Sequence, residues 1–263
     1  MARWPVPLDS VYEAIAAGSL EWVDLSHELS EATPIIELPP PYANTPGWSL
    51  EQVSDYDERG PWFYWNSFRG SEHMGTHFDA PVHWITGRDG DDVSRIPPER
   101  LIGPAAVLDR TAEVAADPDY LLTLDDVRRF EAEHGPLPSG GWLLYRTGWS
   151  TRYWDRNAFL KSDEHGAHWP GVDPECARFL AEETEIRGLG VEQIGIDAGR
   201  AHELDPPWPA HYYLLGADKY GLAQLANLER LPPTGSLLIP APLRIARGSG
   251  SPARVFALVP RAA

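Results

Sequence analysis

Polar and apolar positions run along this 263-residue chain with two periods, and the changes between them predict its elements. "LDSVYEAIAAG" (8–18) has helical spacing, Asp9 or Ser10 as a starting cap and Gly18 as a stop. "WVDLSHELS" (22–30) reads as a strand. Residues 31–62 hold many of the prolines and read as loop. "FYWNSFRG" (63–70) alternates aromatic and polar residues as a strand does, and "GPAAVLD" (103–109) reads as a buried strand. "TLDDVRRFEAEHG" (123–135) predicts a helix opened by Thr123 or Asp125 and closed by Gly135. "GWLLYRTGW" (141–149) is a strand, followed by a surface excursion. Residues 173–188 form a helix with Asp173 as cap and Pro174 at its first position. "VEQIGID" (191–197) predicts a strand, 198–211 a loop, and "GLAQLANLERL" (221–231) a helix. Strands close the chain at 235–240 and 253–260. No repeat and no linker divides it, so one domain over residues 1–263 is expected. Strands and helices mixed without a regular βαβ rhythm predict an α/β or α+β fold.

Charge narrows the function classes. There are 39 acidic residues against 22 basic ones, a formal net charge of -17, with no Lys/Arg cluster. A nucleic-acid surface needs cations to neutralise phosphates, so nucleic acid is not an expected partner. The single cysteine, Cys176, excludes an internal disulfide. No apolar run is long enough to span a bilayer, and "MARWPVPLDSVYEAI" lacks the parts of a signal peptide. A cytoplasmic protein without a membrane partner is expected. No G-x-S-x-G elbow, P-loop or G-x-G-x-x-G follows a strand.

Chemistry concentrates in "HMGTHFDAPVHW" (73–84), which holds three of the nine histidines. His73, His77, Asp79 and His83 all fall on odd positions, so an extended chain would present them on one face. In a straight strand His73 and His77 would lie roughly 13 Å apart, too far to share one ion comfortably. The chain must bend between them, and Gly75 is the place for it. His77 and Asp79, roughly 6–7 Å apart along a strand, can converge. These residues predict a divalent metal held by His73, His77 and Asp79, with His83, beyond Pro81, bordering the metal as a proton-transfer group.

The segment also matches, at every fixed position, the H-x-G-T-H-x-D-x-P-x-H signature of the cyclase family of metal-dependent hydrolases. "VDLSHELS", "RTGW" (146–149), "WPGV" (169–172), "IGID" (194–197) and residues 211–235 extend the resemblance over most of the chain. It implies an α/β fold with a mixed β-sheet, a small barrel-like core and flanking helices, assembled as a homodimer or homotetramer. It implies hydrolysis of an amide by metal-activated water, with His73, His77 and Asp79 as ligands, His83 as the proton-transfer residue and His211 as a further catalytic group.

One position departs from the branch resembling bacterial kynurenine formamidase, which carries a glutamate where this chain has Ala223, followed by Gln224. Alanine cannot bind metal. An amide oxygen from Gln224 can, but without a bridging charge. One ion, Mn2+ or Zn2+, is therefore expected. The aromatic stretch before the motif is more similar to the isatin hydrolase branch. Trp62, Phe63, Trp65 and Trp84 are the expected walls for a flat substrate. The leading expectation is a small-molecule hydrolase opening a cyclic amide such as isatin. The alternatives are an N-formylkynurenine formamidase and a non-catalytic metal-dependent binding or biosynthetic accessory protein.

Overall fold

The structure is a computed structural model that describes residues 8–38 and 40–261. The opening residues of the stretch read above for a signal peptide, and Pro39, lie outside it. The strands that build or flank the site are β1 (Leu20–Asp24), β2 (Ser49–Asp55), β3 (Tyr64–Arg69), β4 (His77–Asp79), β5 (Gly103–Asp109), β6 (Trp142–Arg146), β7 (Gly188–Val191), β8 (Tyr220–Ala223), β9 (Ser236–Pro242) and β10 (Gly250–Pro260). The longer helices are α1 (Leu8–Ala16), α2 (Leu124–His134) and α3 (Pro174–Glu182).

Eight strands form one mixed sheet in the order β1-β10-β9-β5-β6-β7-β8-β4. Strand β4 pairs with β8 on one side and returns to β10 on the other, so seven strands close on themselves and β1 extends along β10. The run β5 to β8 is parallel and the other pairings are antiparallel. This is the mixed, barrel-like α/β fold expected.

Strand alternation divides the apolar residues between two cores. Ala105, Val107, Trp142 and Leu144 point into the barrel with Phe78, Leu222 and Val255. Ala106, Leu108, Leu143 and Tyr145 point outward under α2 and α3. Local signals fix those helices. The Thr123 hydroxyl accepts from the Asp126 amide while the Asp126 carboxylate accepts from the Thr123 amide, a capping box at the start of α2. Asp173 accepts from the Glu175 and Cys176 amides at the start of α3. Cys176 is buried in the outer core.

Five expectations are corrected. The loop read over 31–62 contains β2, which pairs with β3 in a two-stranded ribbon outside the barrel. The strand read over 22–30 ends at Asp24. The helix read over 173–188 stops at Glu182, where Lys219 Nζ donates to the Leu180 and Thr184 carbonyls; β7 then begins at Gly188, and 192–197 leaves the sheet. The helix read over 221–231 is β8 followed by turns. Leu222, Leu225, Leu228 and Leu231 imitate a helical stripe, but all four fill the barrel. Gln224 (φ 55°) and Asn227 (φ 58°) are left-handed, which no right-handed helix accommodates.

Candidate metal centre

Strand β4 carries the chemistry because it is held on both edges. Asp79 has Gly221 of β8 as one register partner and Gly250 of β10 as the other. A Cβ on Gly221 would lie 2.5 Å from Asp79 Oδ2, and one on Gly250 would lie 2.5 Å from the His73 ring. The two glycines leave the space in which the carboxylate and imidazole meet. The expected bend is present: Gly75 is left-handed (φ 57°), and a Cβ there would press on Leu29 at 2.5 Å. After Asp79, Pro81–His83 forms a 3-10 turn that carries His83 back over the cluster.

Asp79 is 1% exposed and His77 4%. His73 Nδ1 lies 2.7 Å from Asp79 Oδ1, and His77 Nε2 lies 3.5 Å from the same oxygen. The His83 ring stacks on that of His73 at 3.8 Å. His73, Asp79 and His83 each offer a ligand atom within 4.8 Å of the others. The structure thus draws into this group His83, which the sequence placed at the border, while His77 reaches the cluster through its approach to Asp79 Oδ1.

Proton positions sharpen the picture. Ser249 Oγ donates to Glu72 Oε2 at 2.7 Å, so its oxygen accepts from His73 Nε2–H at 2.8 Å. In neutral His73 the Nδ1 lone pair then faces Asp79. His77 Nδ1–H donates to the Gly75 carbonyl at 2.7 Å, leaving its Nε2 lone pair facing the same carboxylate. His211 Nδ1–H donates to Asp197 Oδ2 at 2.5 Å, and its Nε2 lies 4.0 Å from Asp79 Oδ2. Electron pairs converging on a buried carboxylate repel unless a cation or an added proton lies among them. Burial pulls the His77 pKa down and pulls that of His83 down to about 3, opposing added protons there. Burial pushes the Asp79 pKa up, but the surrounding histidines outweigh it and hold the carboxyl far below its usual range. The donor set therefore fits a divalent cation. The outward N–H bonds to Gly75 and Ser249 are the kind that fix metal-binding histidines.

His211 comes from a different part of the chain. It begins a π-helical turn, His211–Leu215, pinned by the Thr86 hydroxyl to the Tyr212 carbonyl at 2.7 Å. Asp197 accepts from the Ala210 and His211 amides as well as from the His211 ring. Burial lowers the His211 pKa, but the Asp197 hydrogen bond and charge outweigh it, and the net shift is upward. Trp84 lies 4.8 Å from the His211 ring.

The other expected residues divide. Gln224 is fully buried just past Ala223, which pairs with His77, and among the described residues neither its amide oxygen nor its nitrogen has a partner. Trp62, Phe63 and Trp65 stand on or beside the β2–β3 ribbon and are exposed; Phe63 packs on Trp65 rather than on a histidine. Sequence reasoning missed Asp197, Ser249, Glu72, Gly221 and Gly250. Only "IGID", which ends in Asp197, carried a signal.

The Cyclase family model matches residues 23–198. This chain belongs to the Cyclase family. It is 48% identical over 251 residues to an isatin hydrolase from Roseibium aggregatum, covering 94% of this chain and 95% of that one. It is 29% identical over 238 residues to a kynurenine formamidase from Salinibacter ruber, covering 88% and 94%. Its fold superposes on the crystal structure of an isatin hydrolase bound to the product analogue thioisatinate with a TM-score of 0.94, at 46% identity over 97% of this chain and 98% of that one. The chain is a hydrolase. No helix among the described residues is long and apolar enough to cross a membrane.

Proposed function

We propose that the protein opens the five-membered lactam of isatin, or of a close relative, by adding water across the C–N bond. The observation that carries this reading is the convergence of the His73 and His77 lone pairs on buried Asp79, in a chain 48% identical to an isatin hydrolase. His73, His77 and Asp79 would hold one manganese or zinc ion, with the Gln224 amide as a further oxygen donor. A bound divalent ion supplies Lewis acidity and lowers the pKa of water.

The protein's own groups then divide the proton work. His83, kept neutral by burial, accepts the proton that water loses as its oxygen bonds to the lactam carbonyl carbon. His211, whose cationic form Asp197 favours, donates from Nε2 to the ring nitrogen as the C–N bond breaks. The single ring-opened product carries both the carboxylate and the aryl amine. Ala223 leaves no second acidic side chain opposite His77, which disfavours the two-ion site expected of the formamidase branch. The small-molecule site is served by a homo-oligomer, in which a second copy covers the exposed β2–β3 ribbon.

The test is turnover by metal-loaded protein of isatin and of N-formylkynurenine, with His83→Ala and His211→Ala in parallel. Isatin opening that falls by about 10²-fold or more in both variants, with metal retained, is expected. Turnover of N-formylkynurenine alone would overturn the substrate, and unchanged rates in both variants would overturn the proton roles.

A further inference from the structure

Trp208 stands in "DPPWPAH", with prolines at 206, 207 and 209. Its backbone is left-handed, with φ 51°. That region is unfavourable for a bulky side chain, and the following proline normally pushes a residue towards extended backbone. Glycine would hold this turn without strain. Hydrogen bonds fix the conformation on both sides: the Trp208 amide donates to the Ala201 carbonyl at 3.0 Å, and the Trp208 carbonyl accepts from the Tyr212 amide at 2.9 Å. A strained residue held this firmly calls for a use of its side chain.

The surroundings supply one. The half-buried Trp208 indole meets Trp84 edge-on, with ring centroids 5.8 Å apart. Trp84 in turn lies 4.8 Å from His211, whose ring is 5.6 Å from that of His83. Two indoles thus form a corner beside the two histidines assigned to proton transfer. Both are partly open to solvent, so the corner keeps ring surface for a ligand. Aromatic rings at such a corner select a flat, fused ring by stacking and edge contacts.

We infer that Trp208, with Trp84, forms an aromatic corner that receives the fused benzene ring of the substrate, and that Trp208 sets the preference for aryl-fused over simple lactams. This inference rests on the lactam-opening reading above. Trp208 moves no proton. Its contribution is to binding and is larger for a substrate that brings a second ring.

The experiment compares Trp208→Gly and Trp208→Phe with the wild-type protein. Glycine relieves the backbone while deleting the ring; phenylalanine keeps a smaller ring. Steady-state constants are measured for isatin and for pyrrolidine-2,3-dione, which is isatin without its fused ring. Binding of isatinate, the ring-opened product, is measured by titration calorimetry. The expected result is a rise of about tenfold in the isatin KM for Trp208→Gly, with an intermediate rise for Trp208→Phe. The pyrrolidinedione constants and kcat stay within about threefold, isatinate affinity falls in parallel with the isatin effect, and Tm is unchanged or raised.

Equal losses on both diones, or a fall confined to kcat, would overturn the inference and make Trp208 a support for His211. Unchanged isatin KM and isatinate affinity in Trp208→Gly would also overturn it, while leaving lactam opening intact. If the wild type opens neither dione, isatinate binding decides: affinity lost in Trp208→Gly keeps the aromatic corner and removes the reaction, and no binding removes both.

Discussion

Strand β4 and the β2–β3 ribbon are consecutive in the chain and opposite in character. Strand β4 buries a histidine and an aspartate, each with defined partners, between two strands that supply glycines opposite the carboxylate. The ribbon exposes aromatic and aliphatic side chains at the surface, among them Leu50, Trp62, Tyr64, Trp65 and Phe68. Buried polar groups with partners on every side mark a site completed within one chain. A ribbon with exposed apolar residues is the surface on which the proposed second copy would pack. The contrast separates the chemistry from the proposed assembly.

The largest expected effect comes from breaking the β4 side. Asp79→Asn keeps the shape and removes the charge on which the lone pairs converge. Metal affinity, measured by competition with a chelator, should fall by more than the roughly 100-fold that loss of an outer partner costs. Retained affinity would remove Asp79 from the ligand set. Gly221→Ala is subtler, because it alters no functional group. Its added Cβ meets Asp79 Oδ2 at 2.5 Å, so the carboxylate must shift. A rate loss of about 100-fold is expected with a stability cost of about 1–3 kcal/mol. A variant with normal turnover would mean that the site has slack the fold does not suggest.

On the ribbon side, Trp62→Ser combined with Phe68→Ser should leave the stability within about 0.5 kcal/mol if the chain works alone. Covered by a second copy, the same pair of substitutions dissociates the assembly in sedimentation velocity and raises KM. A monomeric wild-type protein in that measurement would dismiss the second copy outright.

The smallest effect lies away from both regions. His168 bonds Asp119 at 2.7 Å and Asp163 at 3.1 Å, and the Asp119 hydrogen bond leads the upward shift of its pKa. A raised histidine pKa stabilises the folded state below the ordinary histidine value, and the contribution is lost as pH rises through the raised value. Amide exchange in residues 162–167 should therefore quicken over that interval beyond the general base catalysis of exchange, and His168→Gln should abolish the extra dependence.

Much of the fold was legible because its signals were local. Thr123 and Asp126, or Asp173 and Pro174, announce a helix start within four residues. The 221–231 segment misled because leucines spaced by three suit a helix and also suit a chain that turns inside a barrel. Nothing local distinguishes the two; the left-handed Gln224 and Asn227 do, and their conformations depend on barrel closure. The site divides in the same way. His73, His77, Asp79 and His83 share one short motif, and the structure gathers them. Asp197, Ser249 and the two glycines come from the segment after β7, from β8 and from the start of β10, joined only by tertiary packing. Trp84 lies beside His211, whereas Trp62, Phe63 and Trp65 point to the ribbon.

The double pairing of β4 has a consequence for the order of folding. Its partners, β8 and β10, lie far down the chain, so the strand that bears the ligands is also the seam that shuts the barrel. Closing such long loops is slow and comes after local structure has formed. Intermediates with helices in place and the seam still open lack a formed His–Asp cluster. Competence for metal and competence for reaction then arise together in the last cooperative step, and refolding monitored by metal capture should report the same rate as refolding monitored by activity.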